Sequence, residues 1–394
     1  MIPIVNKGLP HLANPLPLGD LLSAFLQSVL ASDKARTGFR DALSRRFGPV
    51  PVRTACNGRS AMALALEACP AKNGNAVVIP AFVCPSVAHS AEAAGRIPVL
   101  CDIDPATLGM SPALLDATLS RRPDAGAVVI PHLLGLPADP ELFNVCRRHG
   151  AAVVEDAAQS LGARLNGAET GTTGEFGIFS FGKGKNISCW SGGLAMGTGL
   201  PQTPKHPARG TALRDLRRLA LLLLYKAAVH PRLWPLTQMA FSHSSSEPIV
   251  DTTRELSAFS EALLAKQLDR YEETAALRNR WAARHKALAL QHGLFTPEPH
   301  GSPCYLRFPV LLPQGPTAQE VRRTLLSQGI TGVSSFEAYG IPWQRPDLAE
   351  GKAWPGAREV VDRILSLPIN HFVRETDVNR IWKGIVTGMS GHRS

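Results

Sequence analysis

The chain has 394 residues, of which 44% are hydrophobic and 19% are charged, so it is a globular protein that can bury a large core. That length suits a large domain plus a smaller one. The net charge of +10 favours anionic ligands. No basic run is interleaved with aromatic residues, however, so the composition does not indicate a nucleic-acid-binding protein.

Seven cysteines are spread widely along the chain, at positions 56, 69, 84, 101, 146, 189 and 304. No pair forms a C-x-x-C motif, so we expect neither a metal site nor a disulfide framework. Most lie in apolar stretches, as buried free thiols do, which indicates a reducing compartment. The N-terminus, MIPIVNKGLPHL, lacks the charged start and apolar core of a signal peptide, and a cytoplasmic location is therefore predicted.

Helix-like and strand-like segments alternate from about residue 50. The predicted helices are SAMALALEA (60–68), SVAHSAEAAG (86–95), SPALLDATLS (111–120) and DPELFNVCRRHG (139–150). The predicted strands are AVVIPAF (76–82), IPVLCDID (97–104), AGAVVIPHLLG (125–135) and AAVVEDA (151–157). Strands joined by helices imply a parallel α/β sheet covered on both faces. Ligands bind such sheets beyond the carboxyl ends of the strands.

Two further strand-like segments, GEFGIFSFG (174–182) and SCWSGGLAM (188–196), flank a turn rich in small residues. An apolar run at 219–224 follows, far shorter than the ~20 residues of a membrane span. We predict a helical insertion over 213–241 that is buried or lies at a subunit interface. The alternative is that 217–241 lies in a membrane surface, with its basic side chains near the headgroups.

The C-terminal part has the pattern of a smaller α+β domain. A long helix is predicted over 256–290, a strand in YLRFPVLL (305–312) and a helix in QEVRRTLLSQGI (319–330). The predicted organisation is an N-terminal helical or extended segment over 1–49, a large domain over 50–244 and a small domain over 245–394.

Polar residues stand at the predicted strand ends. They are Asp102, His132, Glu155 and Asp156. Asp156 can hold a cation such as a protonated ring nitrogen, or it can simply cap the next helix. Gln159, three residues further on, can donate a hydrogen bond to a phenolic oxygen.

The turn Asn57-Gly58-Arg59-Ser60 precedes the first helix of the alternating region. Unpaired N–H groups and the positive end of a helix dipole favour an anion at such a turn. A simple helix cap by Asn57 is the alternative, and the turn by itself does not decide between them.

The stretch SFGKGKNIS (180–188) contains two lysines, Lys183 and Lys185, after the hydroxyl of Ser180. A lysine held in a turn near a carboxylate and a hydroxyl has the parts of a Schiff-base nucleophile. Partial burial would favour its neutral amine. A lone lysine in a loop is usually solvated, so the stretch leaves open whether either lysine has a chemical role.

Together these segments resemble the DegT/DnrJ/EryC1/StrS family of pyridoxal-phosphate sugar aminotransferases, from about residue 50 to 385. The resemblance rests on NGRSA (57–61), VVIPAF (77–82), PVLCDIDPATL (98–108), IPHLLGLPAD (130–139), VVEDAAQSLGA (153–163), SFGKGKNISCWSGG (180–193), LRFPVLL (306–312) and LSLPIN (365–370). It implies an aspartate-aminotransferase-like fold (PLP fold type I) and pyridoxal 5'-phosphate (PLP) as cofactor.

The resemblance also implies roles for individual residues. Lys185, five residues after Ser180, would bind the cofactor covalently and then act as general base and acid. Asp156 would keep the ring nitrogen protonated, and Gln159 would contact the ring's phenolic oxygen. The phosphate would be bound by Ser180 and the backbone of Gly58, Arg59 and Ser60. Lys183 would attract the phosphate or be solvated.

Some positions depart from the family pattern. Many members place a flat side chain over the cofactor ring near the position that Cys84 holds here, and Phe82 is not expected to replace it. Many members also supply an asparagine from the partner subunit; no such loop is present, and Ser244, Ser245, Ser246 or Arg254 are the candidate substitutes. The residues expected at one side of the substrate site, as packing, are Tyr339, Trp343 and His371.

The activity implied by the resemblance is transfer of an amino group, from glutamate, to a keto group of a nucleotide-linked sugar, by a homodimer, for polysaccharide or glycoside biosynthesis. One alternative is the same scaffold acting on a non-sugar ketone or a cyclitol, or in a dehydration. Relatives that dehydrate sugars have a histidine in place of the lysine, and Lys185 argues against that reaction. Another alternative is a non-catalytic PLP-binding regulatory protein.

Overall fold

The computed structural model describes residues 8–10, 14–70, 74–200, 212–237 and 250–390. Its helices are α1 (Leu18–Leu30), α2 (Ser32–Phe47), α3 (Gly58–Ala68), α4 (Ser86–Ala93), α5 (Pro112–Arg121), α6 (Glu141–His149), α7 (Ala212–Ala228), α8 (Ala258–Asp269), α9 (Tyr271–Gln291), α10 (Ala318–Ser327), α11 (Ile341–Gln344), α12 (Pro355–Arg363) and α13 (Glu375–Ser390). Its strands are β1 (Val52–Ala55), β2 (Ala76–Pro80), β3 (Ile97–Cys101), β4 (Ala125–Pro131), β5 (Ala152–Asp156), β6 (Arg164–Leu165), β7 (Ala168–Glu169), β8 (Phe176–Ser180), β9 (Gly193–Gly197), β10 (Phe308–Leu311) and β11 (Ile364–Leu367).

The centre of the molecule is a seven-stranded sheet in the order β1-β9-β8-β5-β4-β2-β3. Neighbours from β8 through β3 are parallel, and β9 runs antiparallel to both β8 and β1. The α/β class predicted from the alternating segments, a mostly parallel sheet with helices on both faces, is confirmed.

The strand sequences explain why both faces are covered. In β2, Val77 and Ile79 pack with helices α3 and α4, whereas Ala76 and Val78 face the opposite layer, which contains α5 and α6. Both sets of side chains are buried, because a parallel sheet joined by helical crossovers has no solvent-facing side. The continuous apolar runs in the sequence reflect this double burial.

A smaller sheet of β10 and β11 forms the core of the C-terminal part, packed by α10 and α13. The expected long helix over 256–290 is wrong in one respect, because it is two helices separated at Arg270. Helix α8 packs with α1 and α2, whereas the end of α9 packs with the small sheet. The buried Tyr271 at the break donates its hydroxyl to the Leu161 carbonyl, 2.5 Å away, and so anchors the start of α9. The proposed boundary between residues 244 and 245 stays a prediction.

The predicted insertion contains helix α7, and 238–241 lie outside the described residues. One side of the helix, with Leu219, Leu222 and Tyr225, is buried, while Leu224 is 66% exposed. Within the described ranges, no helix is both long and apolar enough to cross a bilayer.

The carboxylate of Asp102, just after β3, holds the start of helix α12. Its two oxygens accept the N–H groups of Gly356 and Ala357, each at 2.9 Å. A side chain at Gly356 would come within 1.8 Å of the Ile103 carbonyl oxygen, so only glycine allows this close approach. Asp102 therefore joins the C-terminal part to the large sheet.

Replacing Asp102 by alanine should lower the free energy of unfolding by about 1–2 kcal/mol, because two N–H groups at a helix start lose their acceptor. Chemical denaturation of Asp102→Ala beside Asp41→Ala, an exposed carboxylate on α2, measures the difference. Equal stability of the two variants would contradict the capping role.

Candidate functional site

The candidate site lies where strands β5 and β8 end beside the start of helix α3. The two strands are parallel neighbours, with Asp156 paired with Ile178, so Asp156 and Ser180 emerge at the same edge. The sheet thus gathers a carboxylate, a hydroxyl and a helix N-terminus that are distant in the sequence.

The helix start forms a corner suited to an anion. Asn57 accepts the Ser60 N–H in its side-chain oxygen at 2.8 Å, so the predicted cap is present. Among the described residues, nothing accepts the N–H groups of Gly58 and Arg59, which begin the helix. These two N–H groups, rather than that of Ser60, are the open donors of the turn.

Two glycines make this corner possible. A Cβ at Gly58 would lie 2.7 Å from the Ser180 Oγ, so only glycine lets that hydroxyl reach the helix start. A Cβ at Gly193, opposite Ser180 in β9, would lie 2.4 Å from the Asn57 carbonyl oxygen. The close approach of strand and turn therefore explains the small residues of the SGG stretch.

Asp156 and Lys185 lie close enough for their charges to interact. Burial raises the pKa of Asp156, and the nearby positive charge of Lys185 lowers it in part, as does the hydrogen bond from the Ala158 N–H at 3.0 Å. A carboxylate that burial destabilises is stabilised by a cation held beside it. The arrangement can hold a protonated nitrogen.

The turn that carries Lys185 is fixed by its backbone. The Lys185 N–H donates to the Gly182 carbonyl at 3.2 Å, and its carbonyl accepts the Asn14 side chain at 2.8 Å. Asn14 in turn accepts from Arg278 at 3.0 Å. Asn14 precedes α1, and nothing in the sequence pattern predicted its role at the site.

Lys183 has a different environment. Its side chain is exposed, and its Nζ lies 4.7 Å from the centre of the Trp190 ring, a cation–π contact. Of the two lysines in the turn, the structure therefore places Lys185 toward Asp156 and Lys183 toward the surface.

Gln159 is buried at the edge of the same site. Its side-chain oxygen accepts the Leu134 N–H at 3.0 Å, and its amide nitrogen donates to the Tyr339 hydroxyl at 3.3 Å. Burial, first of all, raises the pKa of Tyr339, so this phenol stays protonated at neutral pH. Tyr339, which was expected only to pack, is thus a polar member of the site.

The segment around Cys84 and the segment around Tyr339 are joined. Val83 donates its N–H to the Tyr339 carbonyl at 3.0 Å, and the ring of Phe82 lies 5.8 Å from that of Tyr339. The Cys84 Sγ lies 3.0 Å from the Ser86 Oγ. Phe82 is buried in this aromatic contact, and Cys84 remains partly exposed beside it.

Glu155 and His132, two other polar residues at strand ends, form a buried pair directly before Asp156 in the sheet. Both are fully buried, and their side chains are 2.9 Å apart. His132 accepts the Ala138 N–H at its Nδ1, which leaves the proton on Nε2 to be donated to Glu155. Burial would raise the pKa of Glu155, but the bonds from His132 and the backbone of the 171–174 loop lower it below its ordinary value.

Several other candidates lie away from this corner. Asp102 caps α12, and Arg254 is exposed with its Nε 3.8 Å from a carboxylate oxygen of Asp251. Trp343 is partly exposed beneath the guanidinium of Arg358, 5.2 Å from the ring centre. His371 is exposed. Ser244, Ser245 and Ser246 lie outside the described residues.

Comparison with known proteins finds related sequences. The family model described as "DegT/DnrJ/EryC1/StrS aminotransferase family" matches residues 22–200. The UDP-2-acetamido-2-deoxy-3-oxo-D-glucuronate aminotransferase of Pseudomonas aeruginosa is 26% identical, over 92% of this chain and 94% of the relative. The L-glutamine:2-deoxy-scyllo-inosose aminotransferase of Streptoalloteichus tenebrarius is 31% identical, over 61% of this chain and 53% of the relative. The chain thus spans about half the length of this last relative.

Comparison with solved structures establishes the fold. The crystal structure of the aminotransferase TlmJ from Streptoalloteichus hindustanus superposes with a TM-score of 0.74 at 21% identity, and covers 97% of this chain and 99% of that one. This agreement confirms the predicted aspartate-aminotransferase-like fold.

Replacing Glu155 by glutamine should lower the free energy of unfolding by about 3 kcal/mol at neutral pH, because it breaks a buried, hydrogen-bonded charge pair. The pKa of Glu155 is lower in the folded protein, so its carboxylate stabilises the fold above the unfolded value of about 4.3. That contribution is lost as the pH falls through the folded value.

Denaturation curves over a pH series measure both effects. The wild type should lose more stability than Glu155→Gln on acidification below about pH 4.3. Glu273→Gln, at an exposed position on α9, should follow the wild type. Parallel pH profiles for the wild type and Glu155→Gln would refute the buried-charge account.

Proposed function

We propose that the chain is a PLP-dependent aminotransferase of the DegT/DnrJ/EryC1/StrS family, because the model of that family matches residues 22–200 and a related aminotransferase aligns over nearly its whole length. The proposed reaction moves an amino group from glutamate to a keto group of a nucleotide-linked sugar. The single observation that carries the proposal is the juxtaposition of Lys185 and Asp156 beside an open helix start.

The anion corner fits the phosphate of PLP. A phosphate needs several converging donors, and the N–H groups of Gly58 and Arg59 and the hydroxyl of Ser180 converge at one helix N-terminus. The helix dipole adds a favourable positive potential there. We assign phosphate binding to these groups, with Ser60 fixing the turn through its bond to Asn57.

Asp156 and Gln159 fit the ring of the same cofactor. The Asp156 carboxylate would pair with the protonated ring nitrogen, whose charge would favour the ionised form of this buried acid. The amide nitrogen of Gln159 would donate to the ring's phenolic oxygen. When bound, PLP supplies an electron sink for negative charge on the substrate carbon that bears the amino group.

Lys185 would hold the cofactor and move the proton. Its backbone is fixed by Asn14 and Gly182, and its positive charge is close enough to Asp156 to lower the pKa of that carboxyl. In its neutral form, the Nζ would act as the general base that takes a proton from the substrate and as the general acid that gives it back. A positioned amine is needed for both transfers, and this accounts for one lysine facing inward.

The substrate class rests on the relatives. The relative from Pseudomonas aeruginosa, which aligns over nearly its whole length, acts by its name on a UDP-linked 3-oxo sugar. The net charge of +10 favours a diphosphate-bearing substrate. A cyclitol ketone is the second candidate, because the relative from Streptoalloteichus tenebrarius is by its name an inosose aminotransferase. We propose a role in polysaccharide or glycoside biosynthesis for the product.

We also propose that the enzyme is a cytoplasmic homodimer. All seven cysteines are free thiols, which suits a reducing compartment. Helices α1 and α7 contact each other and expose leucines, among them Leu26 and Leu224. An exposed apolar surface of this kind is suited to contact with a second copy of the chain.

Replacing Lys185 by alanine should abolish the visible absorption band of the lysine-bound cofactor and slow amino transfer by at least about 100-fold, because the proton carrier is lost. The wild-type band should disappear on addition of glutamate. Lys183→Ala is the matched control, two residues away, and should keep both properties.

Borohydride reduction followed by peptide mass mapping makes this test sharper, because it fixes the cofactor to the lysine that holds it. We expect the added mass on Lys185 in the wild type. Labelling of Lys183, or of no lysine in a wild type loaded with PLP, would overturn the proposed function.

Replacing Ser180 by alanine should weaken PLP binding by about tenfold or more, since a hydrogen bond to a charged phosphate is lost. Titration of the apoprotein with PLP measures the affinity. Ser120→Ala, at an exposed position on α5, is the control and should bind as the wild type does. Unchanged affinity in Ser180→Ala would remove Ser180 from the phosphate site.

A further inference from the structure

Arg307 is a buried cation that no carboxylate neutralises. Only 7% of it is exposed, and the one hydrogen bond that it makes to the described residues runs from Nη1 to the Ser366 hydroxyl at 3.1 Å. In the described parts of the chain, no Asp or Glu lies within ion-pairing distance of it or changes its pKa. A buried guanidinium with most of its five N–H donors unused is costly unless an anion completes the site.

Two independent connections place Arg307 next to Gln159. Along the chain, Leu306 donates its N–H to the Leu134 carbonyl at 2.9 Å, and Leu134 donates its own N–H to Gln159. Across the site, the Arg307 guanidinium lies 5.7 Å from the Phe336 ring centre. The Phe336 ring is in contact with that of Tyr339, which accepts from Gln159.

The open edge of Arg307 faces accessible space. Each nitrogen of Arg307 either has a hydrogen-bond partner or is accessible to solvent. Arg278 Nη1, by contrast, is inaccessible to solvent and has no partner among the described residues. Burial lowers the pKa of Arg307 to about 10, so it remains positively charged at neutral pH. The hydroxyl of Tyr339 nearby is a second donor that stays protonated.

We propose that Arg307, together with the Tyr339 hydroxyl, binds a carboxylate group of a substrate beside the cofactor ring. A planar guanidinium matches a carboxylate through two parallel hydrogen bonds. The carboxylate belongs to the amino donor or to an acidic sugar, and both sources present the same chemistry. This assignment rests on the proposed function, because it locates the carboxylate relative to the PLP site.

The test uses purified full-length protein, with and without PLP, titrated calorimetrically with two unreactive ligands. Glutarate stands for the amino donor, and glucuronate, compared with glucose, stands for an acidic sugar. We expect the wild type to bind at least one of the two carboxylates and Arg307→Met to bind it about tenfold or more weakly. Arg307→Lys should recover part of the affinity, and Tyr339→Phe should lose a smaller part.

Arg323→Met, at an exposed position on α10, is the matched control and should bind as the wild type does. Loss of glutarate binding in Arg307→Met identifies the donor as the source, and loss of glucuronate binding alone identifies the sugar. Equal binding by Arg307→Met and the wild type, or binding of neither carboxylate by the wild type, overturns the proposal. If Arg307→Met does not fold, Tyr339→Phe and Arg307→Lys distinguish these outcomes by the same comparison with the wild type.

The cofactor band keeps this test separate from the proposed function. Arg307→Met should form the lysine-bound band as the wild type does, and require higher glutamate concentrations to lose it if the donor is the source. A wild type that binds carboxylates through Arg307 but forms no band would refute the aminotransferase proposal and leave the anion site standing. A normal band with unaltered carboxylate binding in Arg307→Met would refute the anion site and leave the aminotransferase proposal standing.

Discussion

The buried carboxylate of Glu155 is the constraint on which the candidate site depends. It lies at the end of the central strand β5, where no water reaches it, and it is stable there only because His132 and backbone N–H groups of the 171–174 loop converge on it. Because successive side chains of a strand point to opposite faces of the sheet, the next residue, Asp156, lies on the other face. Satisfying Glu155 therefore fixes the strand end that presents Asp156.

His132 extends this constraint to the rest of the site. Its ring bonds to both Glu155 and Ala138, so the short turn Leu133–Gly135 between them is held in place. In that turn, the Leu134 carbonyl accepts the Leu306 N–H, and the Leu134 N–H donates to the Gln159 side chain. The turn thus joins the C-terminal part to the large sheet beside the proposed cofactor ring. Asp102 provides a second, separate connection between the same two parts. The proposed cofactor and carboxylate sites consequently share one rigid support.

Each buried charge of the site needs a partner that stabilises it. Asp156 is stabilised by Lys185, and Glu155 by its hydrogen bonds, whereas Arg307 has no anion among the described residues. The two lysines of the turn differ in the same terms. Lys185 lies near a carboxylate, and Lys183 lies over an aromatic ring at the surface, where water already solvates its charge. The positive charge of Arg307, which no described carboxylate balances, is the physical reason to expect a negatively charged substrate group there.

The sequence by itself determined the features that depend on local order. The apolar runs placed the strands of the parallel sheet, and Asn57 marked the helix start that it caps. The spacing from Ser180 favoured Lys185 over its neighbour, through the family resemblance. Only the tertiary structure decided which distant groups meet at the site. Asn14 reaches Lys185 across 171 positions, and Tyr339 reaches Gln159 across 180. The break at Arg270 and the isolation of Arg307 were likewise invisible in the sequence. Periodicity reports burial along one segment, whereas these contacts arise when separate layers pack, and no local pattern records the partner that packing will supply.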